Sequence, residues 1–185
     1  IRNQNELAQE SSEIADFWSM LQGFQTSGKC IEKAHYRIRY MKSFRPLSVK
    51  EDIEFKEARP ILYLNTAAVA SLFNSRNAGS TSNRSNWSTI MSYLKSHASY
   101  LGLKQDRFTI LLPSGLPDYT IDIVNGEQVK KVKVNRPKAL CFDYLQLKET
   151  FGLDLETEVV AEVQDMQEEV ITMQHTFKQN EFDFT

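Results

Sequence analysis

One segment has the spacing of a phosphate-binding loop: Gly23, Gly28 and Lys29 read as G-x-x-x-x-G-K. Such a loop needs a strand before it, a helix after it, and a hydroxyl following the lysine to hold magnesium. Here Gly23 sits inside a helical pattern, Cys30 takes the hydroxyl's place, and strand-like alternation follows. The segment therefore reads as the end of a helix and a turn. His35, His97 and His175 are far apart in sequence and have no companions at metal-ligand spacing. Cys30 and Cys141 read as two free thiols. There is no nucleophile elbow, no CxxC pair and no HExxH. No catalytic residue, metal or cofactor is expected, and the chain is not expected to be an enzyme by itself.

Charge offers a different chemistry. Lys130, Lys131, Lys133, Arg136 and Lys138 put five basic residues into nine positions, 130–138. Lysines on an exposed hairpin can grip phosphates, and each phosphate neutralised releases counterions. The same lysines can also shield a strand edge against aggregation. A helical pattern over 86–102 has a polar side of Ser88, Ser92, Lys95, Ser96 and Ser99, small enough to lie close to a phosphate backbone. Base reading usually needs Arg, Asn or Gln, and only Arg84 and Asn86 fit. Residues 154–185 carry nine acids against Lys178 alone, a net −8; with −2 for the whole chain, the remainder carries +6. A basic body with an acidic tail suits a body that meets phosphate and a tail that does not.

The elements that must position these charges can be read from periodicity. Residues 4–27 form an amphipathic helix with Ile14, Phe17, Trp18, Leu21 and Phe24 on one face. Residues 34–41 alternate Tyr36, Ile38 and Tyr40 with His35, Arg37 and Arg39, as a half-buried strand does. A second short strand, 52–57, would place Glu54 opposite Arg37 or Arg39. After Pro60 come an apolar run at 61–64, a helix over 66–76, a Ser/Asn/Gly loop over 77–85, and the helix over 86–102. Strand-like runs at 108–112, 119–124 and 128–134 follow, the last two joined by Asn125-Gly126, a strong hairpin turn. A short run at 138–142 leads to Asp143, which can cap a helix over 144–151 that Gly152 stops.

At 185 residues, 41% apolar and 11% aromatic, the chain can bury a core. No apolar run approaches the length of a membrane span. The expected fold class is α+β with a winged-helix-like core. The expected organisation is an N-terminal helix with short antiparallel strands over 1–58, a winged-helix-like domain over 59–155, and an acidic tail over 156–185.

Several segments together resemble the C-terminal region of primase/helicase proteins encoded by mobile elements and phages. These are residues 13–18 leading into the strand at 35–40, residues 59–64, residues 92–102, residues 138–144 and residues 151–155. The resemblance covers about residues 10–155, and the family's ATPase motifs lie outside it. It implies a cytoplasmic accessory role in DNA replication, with an upstream ATPase/helicase domain as partner and no membrane. It carries over no catalytic residue.

The expected nucleic-acid contacts are Arg84, Lys95, Lys130, Lys131, Lys133, Arg136 and Lys138. The alternative is a protein-interaction module whose Phe17, Trp18, Leu21 and Phe24 face docks onto the ATPase domain or a second subunit.

Overall fold

A computed structural model describes residues 3–78 and 85–156. It opens with α1 (Gln4–Thr26), capped by the Asn3 side chain, which accepts from the Asn5 N–H. Next come β1 (Tyr36–Phe44), β2 (Ile53–Asn65), α2 (Thr66–Asn77) and α3 (Trp87–Ser96). Six strands follow: β3 (Tyr100–Gln105), β4 (Phe108–Thr109), β5 (Tyr119–Val124), β6 (Glu127–Val132), β7 (Val134–Asn135) and β8 (Lys138–Asp143). The last element is α4 (Tyr144–Phe151). The fold class is mixed α+β, and one compact unit ends at Leu155.

The centre is an antiparallel sheet of four strands in the order β1-β2-β8-β3. Its two middle strands carry the apolar runs at 61–64 and 139–142, and these residues are buried throughout. Alternation divides them between two faces. Leu62, Leu64, Leu140 and Phe142 point to the helices, where Phe17, Trp18 and Leu21 of α1, Val69 and Phe73 of α2, Ile90 and Leu94 of α3 and Leu147 of α4 close the main core. Trp18 stands edge-on to Phe142, ring centres 5.0 to 5.1 Å from Phe17 on one side and Phe142 on the other. Ile61, Tyr63, Ala139 and Cys141 point the other way, into a smaller core with Phe44 and Phe108.

That second core exists because the sheet curls. The turn after β1 reaches the opposite edge strand, where Leu47 N–H donates to Leu103 O at 2.9 Å. Pro46 comes so close to Gly102 that a Cβ there would sit 2.7 Å from the proline Cβ. Gly102 also has φ +135° at a bulge between β3 and β8, a conformation that favours glycine.

Four expectations change. The strand expected at 52–57 and the run at 61–64 are one strand, β2, so the expected domain boundary at 58/59 falls inside it. Pro60 is tolerated there because it lies one position before pairing with β8 begins, at Ile61. Glu54 lies opposite Ser43, not an arginine; Arg39 instead makes a two-pronged pair with Asp106, at 2.6 and 2.8 Å. The helix expected over 86–102 ends at Ser96, where the Ser96 hydroxyl bonds back to Tyr93 O and the chain turns into β3. Ala98 is exposed, and Leu101 packs on the second core from the strand. The strand expected over 108–112 is only the two-residue β4, paired with β7.

Local signals at the end of the body act as expected. The Asp143 side chain caps α4 by accepting from Gln146 N–H, and Gly152 closes the helix at φ +64°.

Candidate nucleic-acid interface

Between β3 and β8 the chain leaves the sheet and returns. On the way it builds an arm, the β5–β6 hairpin, turned by Asn125 and Gly126 with φ of 54° and 83°. Both central residues in the left-handed region mark the tight turn whose twist matches that of the strands. At its base Ile110, Asp118 and Lys133 are laced by backbone hydrogen bonds: Ile110 N–H to Lys133 O, Lys133 N–H to Asp118 O, and Asp118 N–H to Ile110 O.

Every residue of β5 and β6 is exposed. The register sorts the arm into two faces. One holds Tyr119, Ile121, Ile123, Gln128, Lys130 and Val132; the other holds Thr120, Asp122, Val124, Glu127, Val129 and Lys131. Lys130 lies over the Tyr119 ring, 4.1 Å from its centre.

The basic cluster is only partly free to meet phosphate. Lys131 pairs with Asp122 at 2.8 Å and Lys133 with Asp118 at 3.0 Å. These pairs are largely solvent-exposed, so each adds little stability, but each lowers the positive potential offered outward. Lys130, Arg136 and Lys138 have no acidic partner among the described residues. Over 118–133 three acids, Asp118, Asp122 and Glu127, match three lysines, so the arm itself is neutral and the surplus lies at its base, on Arg136 and Lys138.

On α3, Ser88, Ser92 and Lys95 are exposed along one side, while Ser99 is buried beyond the helix. The flanks of that helix are acidic. The Ser96 hydroxyl donates to Glu10 of α1 at 2.6 Å, and the Ser85 hydroxyl donates to Glu13 at 2.7 Å. Arg84 lies outside the described residues, as do residues 157–185 of the acidic tail.

The docking face expected on α1 is corrected. Phe17 and Trp18 are each 1% exposed and Leu21 is fully buried; with Phe24, partly buried, they pack into the main core. The stripe faces its own sheet because α1 crosses the apolar face that Phe142 and Leu140 present.

Sequence reasoning did not single out two features. Ile121 and Ile123 are 69% and 75% exposed, the most exposed large apolar side chains of the described body. Their alternation was legible, but nothing in sequence says that neither face of the hairpin is covered. The second is a cleft of about 900 Å³ at the arm's base, between the start of α2, the turn before β1 and residues 109–116. His35, expected on the outer side of a strand, is 6% exposed and lines this cleft.

Both cysteines are free and buried; burial pushes the Cys30 thiol up to about 12 and raises that of Cys141 further. Among the described residues no group of three or more His, Cys, Asp or Glu side chains is placed to share a metal ion, and no helix is long and apolar enough to cross a membrane. No protein-family model, curated protein or solved structure matches the chain.

Proposed function

We propose that this chain is a non-catalytic, winged-helix-like DNA-contacting domain of a larger, cytoplasmic primase/helicase carried by a mobile element. Supporting the reading, α1, β2, the α2–α3 pair, β3, the β5–β6 hairpin and β8 come in this order, with β1, β4 and β7 interspersed, and the returning β8 lies between β2 and β3. The observation that carries the reading is the arm: a two-stranded hairpin exposed on all sides, with Lys130, Arg136 and Lys138 free of acidic partners among the described residues. Contact is electrostatic and weakly sequence-specific, through these cations at the arm and through Lys95. Lys131 and Lys133 contribute less, because each already has a carboxylate.

Fluorescence anisotropy of the chain with single- and double-stranded DNA across a salt series tests it. Lys130→Ala, Arg136→Ala and Lys138→Ala together should weaken binding to all sequences alike. They should also flatten the salt slope by about 0.9 for each duplex phosphate that is no longer neutralised. No binding at low salt, or a triple variant with an unchanged slope, would overturn the reading.

A second reading, a protein-docking module, is favoured by Ile121 and Ile123, which form an apolar strip in water on an arm of no net charge. It moves the docking surface from α1 to the arm.

A further inference from the structure

The cleft at the arm's base differs in chemistry from the arm. Its lining is mainly apolar: α2 contributes Ala67, Ala68 and Leu72, and the segment before β5 contributes Leu111, Leu112 and Leu116. Among the described residues no acidic side chain lines it, and Lys29 stands at its border. The first turn of α2 opens onto it, and first-turn N–H groups lack partners within their own helix; the Asn65 side chain accepts from Ala68 N–H at 3.4 Å, which leaves the earlier ones.

The second, independent observation is His35. It is 94% buried by its 6% exposure, and its Nδ1 accepts the Ile31 N–H at 2.9 Å. That bond fixes the neutral ring with its proton on Nε2. Burial lowers the His35 pKa, so the ring stays neutral at pH 7. Nε2–H has no partner among the described residues, and the ring lines the cleft. The Nε2–H is not sealed off: it reaches the open space of the cleft, where it can donate to whatever enters. His35, the first turn of α2 and Lys29 thus border one cleft that has mainly apolar walls and, among the described residues, no carboxylate in its lining; the Lys29 ammonium lies 5.8 Å from the centre of the Phe24 ring.

We propose that this cleft binds a small amphiphilic acid, with one anionic head held by His35 Nε2–H, the α2 N-terminus and Lys29, and an apolar body lying along Leu72, Leu111 and Leu116. The volume falls within the ~300–1,000 Å³ of small-molecule sites, and a mostly apolar lining with a few convergent polar groups is their usual make-up. Nothing in this rests on the DNA reading.

The probe is 8-anilinonaphthalene-1-sulfonate, an aromatic body with one sulfonate, titrated against the whole chain by fluorescence. Its uncharged counterpart N-phenyl-1-naphthylamine is titrated in parallel. One saturable site is expected, at least tenfold tighter for the sulfonate. Ser71→Trp, an exposed α2 position on the cleft wall, should abolish it, and Lys29→Ala should weaken it severalfold. In histidine ¹⁵N spectra the His35 Nε2 resonance should shift on addition of the dye. Ile121→Ser with Ile123→Ser should leave binding unchanged.

Decanoate should displace the dye. Three results would each overturn the assignment: binding lost in the arm variant but kept in Ser71→Trp, equal affinity for the uncharged dye, or displacement by an acetylated leucine-ending tetrapeptide but not by decanoate.

Discussion

The α1 stripe and the β5–β6 arm carry similar sequence: both interleave large apolar residues with charged ones. Their fates are opposite. Trp18 is 1% exposed and touches Phe17 and Phe142. Ile123 is 75% exposed, and none of the described residues covers it. The difference is not in hydrophobicity but in what the chain supplies opposite. A helix with apolar residues at spacings of three and four finds a complementary apolar sheet face in β2 and β8. The hairpin extends beyond that sheet, so its alternation sorts side chains onto two faces without burying either. Apolar periodicity shows which residues share a face; only topology decides whether that face is core or surface.

The sharpest way to break this contrast is to truncate one side chain in each region. Trp18→Ala should cost about 3–5 kcal/mol in urea unfolding, through lost burial and the cavity left between α1 and the sheet. Ile123→Ala should cost under about 0.5 kcal/mol. Comparable losses would mean that the arm is packed in solution, and the comparison would collapse.

A smaller effect tests the curl that gives the sheet its second core. Gly102→Ala places a Cβ 2.7 Å from the Pro46 Cβ on a backbone with φ +135°. A loss of about 2–3 kcal/mol is expected, because proline and backbone cannot both yield cheaply. Asp143→Ala removes the α4 cap and the 2.8 Å pair with Arg59 together, and should cost about 1–2 kcal/mol. Asp143→Asn keeps the cap and should recover part of that loss.

The smallest expected effect is on pH dependence. Burial depresses the pKa of His35 and of His97 in the folded chain, from an ordinary value of 6.5. Below that value the unfolded chain takes up protons that the folded chain refuses. Stability should therefore be flat above about pH 6.5 and fall as pH drops toward the lowered folded values. His35→Gln should shallow that fall, measured as unfolding midpoints between pH 7.5 and pH 5. An unchanged profile would place His35 in water, outside the body and with no cleft to line.

What could be read in advance was whatever short-range chemistry decides. Asp143 and Gly152 bracket α4 because a cap and a left-handed stop act within one turn. Asn125-Gly126 fixes the hairpin for the same reason. The α3 boundary was overrun because Ala98 and Leu101 continue a helical spacing by coincidence. The strand outcompetes the helix there, since β3 completes the sheet edge beside β8 and brings Leu101 onto the second core. The charge cluster at 130–138 was visible, but its partial neutralisation was not, because Asp118 and Asp122 reach Lys133 and Lys131 only across the hairpin. His35 was placed by the side-chain period of β1, which starts one residue later, at Tyr36. Its burial depends on the Ile31 turn and on residues 109–116, far away in sequence.

The register of the arm also makes it a ruler graduated in pairs. The turn joins Val124 to Glu127, and the partners two steps back, Asp122 with Val129 and Thr120 with Lys131, repeat the same kind of pairing. Asn125-Gly126 can therefore be moved down to close either of those rungs without turning a side chain to the opposite face. Each such step draws the tip inward by about 6.6–6.8 Å, two strand rises. Removing one residue per strand instead would seat the turn on the wrong kind of rung. The reach of the arm is thus adjustable in fixed increments, with Arg136, Lys138 and the sheet that anchors them left in place.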